Sequence, residues 1–292
     1  MKKIGWIVCR TFIEKQAKNS KQALFSFLPP IQREKITTLS PPSQDVSLGY
    51  DLINTLFEWT HPSWYAPFLR TLSEHDATLF ISSLEEKSAE KLQKMLKLSN
   101  SRHPLHPPSQ DFLKRKLVDS LLHPSVDLLP LEGLPKSNLM QLLSLSSEEL
   151  RLLIEFLGLH DLAVEMKQII DNTKLKTIYA ALTPPKELFL KMLAHKKEPV
   201  VFKRIEIAHW DGKKETLLTL LFQRGLNRLA KALYPEDPSF IWYIKHHMDL
   251  EEAHLLSSFH KSLDHANAYN ILSRQVLEAI TFLQKINPRS NS

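Results

Sequence analysis

HPSWYAPFLRTLSEHDATLFISSL, residues 61 to 84, is the stretch that decides the fold. Pro62 fixes φ near the helical value and gives up an amide that the first helical position leaves unbonded anyway, so His61-Pro62 reads as a turn that starts a helix. Behind it, apolar residues return every three or four positions: Tyr65, Leu69 and Leu72, then Ala77, Ile81 and Leu84. That period belongs to a helix with one buried face.

The same spacing recurs along the chain, and alternation of β-branched residues is scarce. We therefore expect an all-α fold of stacked helix pairs, armadillo-like and right-handed superhelical, in two or three small helical modules. A chain of 292 residues with 43% apolar content can bury a real core. It carries six glycines, none in a GxGxxG or GxxxxGK[ST] arrangement, which argues against a phosphate-cradling loop. One cysteine, Cys9, cannot form an internal disulfide or a cysteine metal cluster, and agrees with a reducing compartment. Arg10 breaks the apolar run of MKKIGWIVCRTFIEK too early for a signal peptide, and no run reaches the length of a membrane span. These features predict a cytoplasmic protein, with the cytosolic face of the inner membrane as an open alternative.

Prolines mark the joints. The segment SNSRHPLHPPSQ predicts a linker over 101–110, separating an N-terminal helical module (1–100) from a central one (111–182). Thr183 before Pro184 and Pro185 predicts a helix start opening a C-terminal module, 183–292. Ser146 to Glu149 and Asp249 to Glu252 fit capping boxes, and Asp237-Pro238 fits a cap with proline after it. EPVVFKRIEIAHW, 198 to 210, is the one stretch with partial alternation that suits a strand. A short echo links ALFSFLPPIQREKITTL (23–39) to TLFISSLEEKSAEKLQKML (78–96), and His-Pro-Ser recurs at 123–125.

Chemistry is thinner. Two Glu-x-x-His units, Glu206 to His209 and Glu251 to His254, suggest a carboxylate-His di-metal protein, but composition alone yields such pairs. The histidines of the tail, His246, His247, His254, His260 and His265, lack the one-turn spacing of paired ligands and suit a polar helix surface. No catalytic set, cofactor site or metal site is expected. The basic and acidic residues, 38 and 32, are interspersed, and the net charge is +6. A helical nucleic-acid binder would use Lys203, Arg204, Lys213, Lys214, Arg224, Arg228 and Lys231, with Trp210 and Phe222 for stacking. The simpler reading of LLTLLFQRGLNRLAKAL gives Arg224, Arg228 and Lys231 to the wet face, so a nucleic-acid partner is disfavoured.

The 61–84 stretch resembles the helical middle domain of the FliG-like flagellar rotor switch family through His61, Pro62, Ala66, Leu69, Leu72, Ala77 and Leu84, without a gap. The resemblance places a middle-domain-like unit at 61–96. Thr60 and Ser63 depart from it, standing where the family has an acidic residue and a Gln. LAKALYPEDPSFIWYIKHHMDLEEAHLL, 229 to 256, resembles the C-terminal domain of the same family through Leu229, Ala230, Ala232, Leu233, Phe240, Ile244, Met248 and Ala253. Glu251, Ser258 and Phe259 occupy the places of that family's torque-generating charges and do not reproduce them.

The resemblance implies a non-enzymatic scaffold that has lost torque generation, a type III secretion or flagellum-derived adaptor linking an inner-membrane ring to a cytosolic ring. It implies protein partners in an export-apparatus ring and is compatible with self-association. Expected partner-binding residues are His61, Pro62, Ser63, Trp64, Tyr65 and Phe68, with Met248, Asp249 and Glu251 on the C-terminal surface. Trp64, Tyr65 and Phe68 could equally pack inside the helix pair.

Overall fold

A computed structural model describes residues 3–15, 17–39, 52–98, 102–122, 128–196, 198–202, 207, 210–263 and 266–286. Among them the chain is all-helical with no strand, and helices pack in pairs. In chain order the α-helices are α1 (Lys3–Lys15), α2 (Lys18–Phe27), α3 (Pro30–Thr38), α4 (Leu52–Trp59), α5 (Ala66–Leu69), α6 (Glu74–Ser82), α7 (Glu86–Leu96) and α8 (Pro107–Leu121). They continue with α9 (Ser147–Met166), α10 (Asn172–Ala181), α11 (Pro184–Ala194), α12 (Lys214–Ala232), α13 (Pro238–His246), α14 (Leu250–Phe259) and α15 (Ala266–Ile286). None is long and apolar enough to cross a membrane.

Contacts divide the chain into two compact units. One holds 1–137 with 237–250, and the other holds 138–236 with 251–292. The segment expected as a linker, 101–110, is non-helical at 102–106, enters α8 at Pro107, and has the first unit on both sides. The echoing stretches 23–39 and 78–96 each span a helix, a turn and a helix, whereas the second His-Pro-Ser lies outside the described residues.

In the first unit the period of 61–84 becomes a core. Tyr65, Ala66, Leu69, Ala77, Ile81 and Leu84 are buried together with Ala89, Leu92 and Leu117, and Leu72, Phe68 and Phe80 lean on them. Ser73 caps α6 by accepting the Asp76 amide at 3.1 Å. Asp237 caps α13 by accepting the Ser239 amide at 2.8 Å, with Pro238 in the first turn as expected.

In the second unit α9 is the central helix, flanked by α11, α12 and α15. The capping box at its start forms as expected, between Ser146 and Glu149. Past its first turns, where Glu148 and Arg151 are exposed, its residues from Leu153 to Glu165 are buried or half-buried all round, so that stretch has no wet face on which to leave a charge. Its polar residues must therefore find partners inside: Glu155 pairs with the buried Lys186 of α11, and His160 and Asp161 are held as described below. At the crossing of α9 and α12, Gly158 and Gly225 let the two backbones touch, because a Cβ on either would fall on the other helix.

The strand expected at 198–210 is not seen. Residues 198–202 carry no regular structure, and part of the remainder lies outside the described residues. The physical reason is that this backbone bonds to side chains: Val200 offers its carbonyl to Arg228 at 3.0 Å and its amide to Glu198 at 3.3 Å.

Candidate functional site

Within the first unit, the His61 turn and the end of α13 form one polar joint. A 3-10 turn, Pro62–Tyr65, follows His61, and the His61 amide donates to the His246 carbonyl at 2.7 Å. Ser63 Oγ accepts the Leu250 amide at 2.9 Å and lies 2.8 Å from His61 Nδ1, so its hydroxyl proton is free to donate to that ring nitrogen. Trp64 Nε1 donates to the Met248 carbonyl at 3.0 Å, and Trp59 Nε1 to the Tyr243 carbonyl at 2.8 Å. The His246 ring is sandwiched between Trp64 and Trp242, with centroids at 3.8 and 3.6 Å. His247 stacks on Trp59. The His61 amide thereby meets the last carbonyl of α13, at His246, which the helix itself leaves without a donor, and Trp59 adds a second donor to the Tyr243 carbonyl.

The two sets of residues singled out in the sequence thus meet, but several are inside. Tyr65 is 2% exposed and Ser63 1%, Met248 is buried, and Trp64 and Phe68 are half-buried. Ser63 and Tyr65 are therefore corrected from surface contacts to parts of the joint and the core, and Met248 from a surface residue to a packed one. Thr60 and Ser63, where the resemblance departs, are both buried and bonded, Thr60 Oγ1 to the Leu56 carbonyl at 2.7 Å and Ser63 Oγ to His61 and the Leu250 amide. Their identities answer to packing. His61, Pro62 and Asp249 stay partly open, and Glu251, in the second unit, is exposed.

The expectation that the tail histidines form a polar surface fails at His246, which is buried. The signal available was the aromatic surroundings, Trp242 and Tyr243 one turn before it. Burial pushes the His246 imidazole down to about 4, with the Lys245 charge in the same direction and the hydrogen bond to the Trp242 carbonyl opposing. Burial also lowers His61, against the pull of Asp249. The unfolded chain then binds more protons than the folded one below pH 6.5, so stability is complete above that value and falls as pH drops toward 4. His246 accounts for up to about 3 kcal/mol of that loss. Urea titrations at pH 7.5 and 4.5 are expected to show it, and to show a shallower dependence in His246→Phe, which keeps the stack without the proton.

The second unit holds a polar constellation that sequence reasoning missed. Arg228, 1% exposed, has its five N–H groups accounted for. Nε and Nη2 reach Asp161 Oδ1, Nη1 reaches Glu198 at 3.3 Å and Gln275 at 2.8 Å, and Nη2 also reaches the Val200 carbonyl. Arg224 Nε takes the other Asp161 oxygen at 2.9 Å. Glu198 accepts from Gln275 Nε2 at 2.7 Å and from His160 Nδ1 at 2.8 Å. Burial raises the Glu198 carboxyl, but the His160 hydrogen bond and the Arg228 charge outweigh it and hold it at about 2. Burial lowers His160, so the imidazole is neutral with its proton on Nδ1. Two cations face two anions. Arg228 is thus neither on a nucleic-acid surface nor on the wet face of α12. The available signal was His160-Asp161 in the middle of the apolar run of α9, one turn-pair matched by Arg224 and Arg228 on α12.

The remaining basic candidates are dispersed. Lys231 is buried and donates to the Lys261 carbonyl at 2.9 Å, Phe222 is buried, Trp210 bonds the Lys213 carbonyl, and Lys213 and Lys214 are exposed. Lys203, Arg204, Glu206, His209 and His265 lie outside the described residues. Among those described, no three metal-ligating side chains converge. Compared with known proteins, the chain matches no protein-family model, no curated protein and no solved structure.

Proposed function

We propose that the chain is a non-enzymatic adaptor of a type III secretion or flagellum-derived export apparatus, linking a membrane ring to a cytosolic ring. The observation that supports it is the joint itself: 61–84, the first family-like stretch, and 237–250, the middle of the second with Phe240, Ile244 and Met248, lie far apart in sequence and fold into one unit. The open part of that joint, His61, Pro62, Trp64 and Asp249, is then the partner-facing side, at the cytosolic face of the inner membrane. Aromatic and proline groups held rigid by hydrogen bonds lose little entropy on docking, as an interface anchor should.

Affinity isolation of the tagged full chain from its native cells after crosslinking is expected to enrich components of the export ring. Asp249→Asn, which removes the charge at the rim and keeps a side chain able to cap α14, is expected to reduce that yield severalfold with the melting curve unchanged. Recovery of ribosomal proteins alone, or of nothing above background, would overturn the reading.

A further inference from the structure

His160 supplies two hydrogen-bonding sites and the ion network uses one. With its proton on Nδ1, donated to Glu198, the ring presents a lone pair at Nε2, and Nε2 is buried with no partner among the described residues. His160 lines a cavity of about 100 Å³ in the second unit, shared with Lys167, Lys196, Arg274 and Gln275. At roughly 30 Å³ per water, that volume holds about three waters or one tetrahedral oxyanion.

The cavity wall is cationic. Lys167 donates to the Lys196 carbonyl at 2.6 Å and Lys196 pairs with Glu278 at 3.2 Å. Arg274 makes no ion pair or hydrogen bond among the described residues and is exposed. Glu198 is already neutralised by Arg228, so three cations face one carboxylate. An anion is favoured there, yet a bare anion has nothing to give His160 Nε2, because both would be acceptors. The group that meets both demands is an oxyanion that keeps a hydroxyl. A phosphomonoester with a second pKa of about 6 retains one near neutrality, and a carboxylate or sulfate ester does not.

A second cavity, about 320 Å³, shares Leu193, Lys196, Arg274 and Glu278 with the first and continues over apolar side chains. Phe189, Met192, Leu277 and Phe282 form its lining, and Phe189 and Phe282 pack against each other at 4.9 Å. It has room for about ten methylene-sized groups at roughly 30 Å³ each. Its Met192 is 45% exposed in the protein alone.

We propose that the second unit binds the phosphomonoester of an apolar alcohol, with the phosphate on His160 Nε2 and Arg274 and the chain along Phe189, Met192 and Phe282. The site lies wholly within one unit and does not depend on the adaptor reading. Calorimetric titration of the full chain at pH 6.5 with octyl phosphate, octyl sulfate and inorganic phosphate tests it. Octyl phosphate is expected to bind saturably at one site, at least tenfold tighter than either of the others. Equal binding of octyl sulfate would overturn the part given to His160, and equal binding of inorganic phosphate would overturn the apolar tail. Absence of saturable binding by octyl phosphate would overturn the site. Arg274→Gln, a surface change, is expected to weaken octyl phosphate at least tenfold with the melting curve unchanged; unchanged affinity in that variant would also count against the proposal.

Discussion

Gly225→Ala is expected to destabilise the second unit by about 3 kcal/mol or more, lowering its melting temperature by roughly 10 °C in a calorimetric scan. In an ordinary helix the same change is favourable by about 1 kcal/mol, since alanine has the higher helix propensity. Here the added Cβ would sit 1.7 Å from the Ile154 carbonyl oxygen and 3.1 Å from the Gly158 amide nitrogen. Gly158→Ala meets the reciprocal obstacle, with the Leu221 carbonyl oxygen at 2.0 Å. Each glycine lies against the carbonyl four residues before the other, so the obstacle is backbone and no rotamer relieves it. α9 and α12 would have to separate, opening the packing of Leu221, Leu226 and Leu229. Gly212→Ala is the control. Gly212 has φ of +80° with nothing within 4 Å of the added Cβ, so only the backbone penalty of about 1 kcal/mol applies. A Gly225→Ala protein that melts with the wild type would refute the backbone contact.

Arg228→Met is expected to cost about 3–5 kcal/mol, because it leaves Asp161 and Glu198 buried without their shared cation. The figure is the penalty of stranding two carboxylates and does not measure the pair's net worth, since five well-made hydrogen bonds only offset the desolvation of so deep a guanidinium. A double-mutant cycle with Asp161→Leu separates the two quantities. The double variant is expected to be less destabilised than the sum of the singles by at least about 1 kcal/mol, measured by urea melts at pH 7. The sign of the acid response follows from Glu198. Its folded pKa of about 2 lies below the ordinary 4.5, so its stabilisation is complete above pH 4.5 and is lost as pH falls toward 2. Removing Arg228 raises the folded pKa and narrows that window.

The fold class was legible because 61–84 and the leucine runs carry their period openly, and the structure turns those same positions into the core. Caps and prolines at Ser146, Asp237 and Pro184 marked helix starts for local reasons that need no tertiary context. What could not be read was which polar residue a helix buries. Arg224, Arg228 and Lys231 lie at helical spacing whether that stripe meets water or meets Asp161, and only the identity of the facing helix decides. The same ambiguity hid Ser63 and Tyr65, which a linear pattern shows as an opening motif and the structure shows as mortar. The alternation at 198–202 suggested a ladder, but its carbonyl and amide are met by side chains, an option that residue pattern alone does not encode.

The divided first unit has a consequence in time. Its helices up to α8 leave the ribosome well before residues 237–250, so Trp59 and Trp64 wait with no carbonyl to receive their indole protons until α13 emerges. At elongation rates of about 5–20 residues per second, that interval is on the order of ten seconds. During it the second unit's helices α9 and α12 are already synthesised, so the order of birth lets that pair form before the first unit is sealed, while α15, made last, completes the second unit's core.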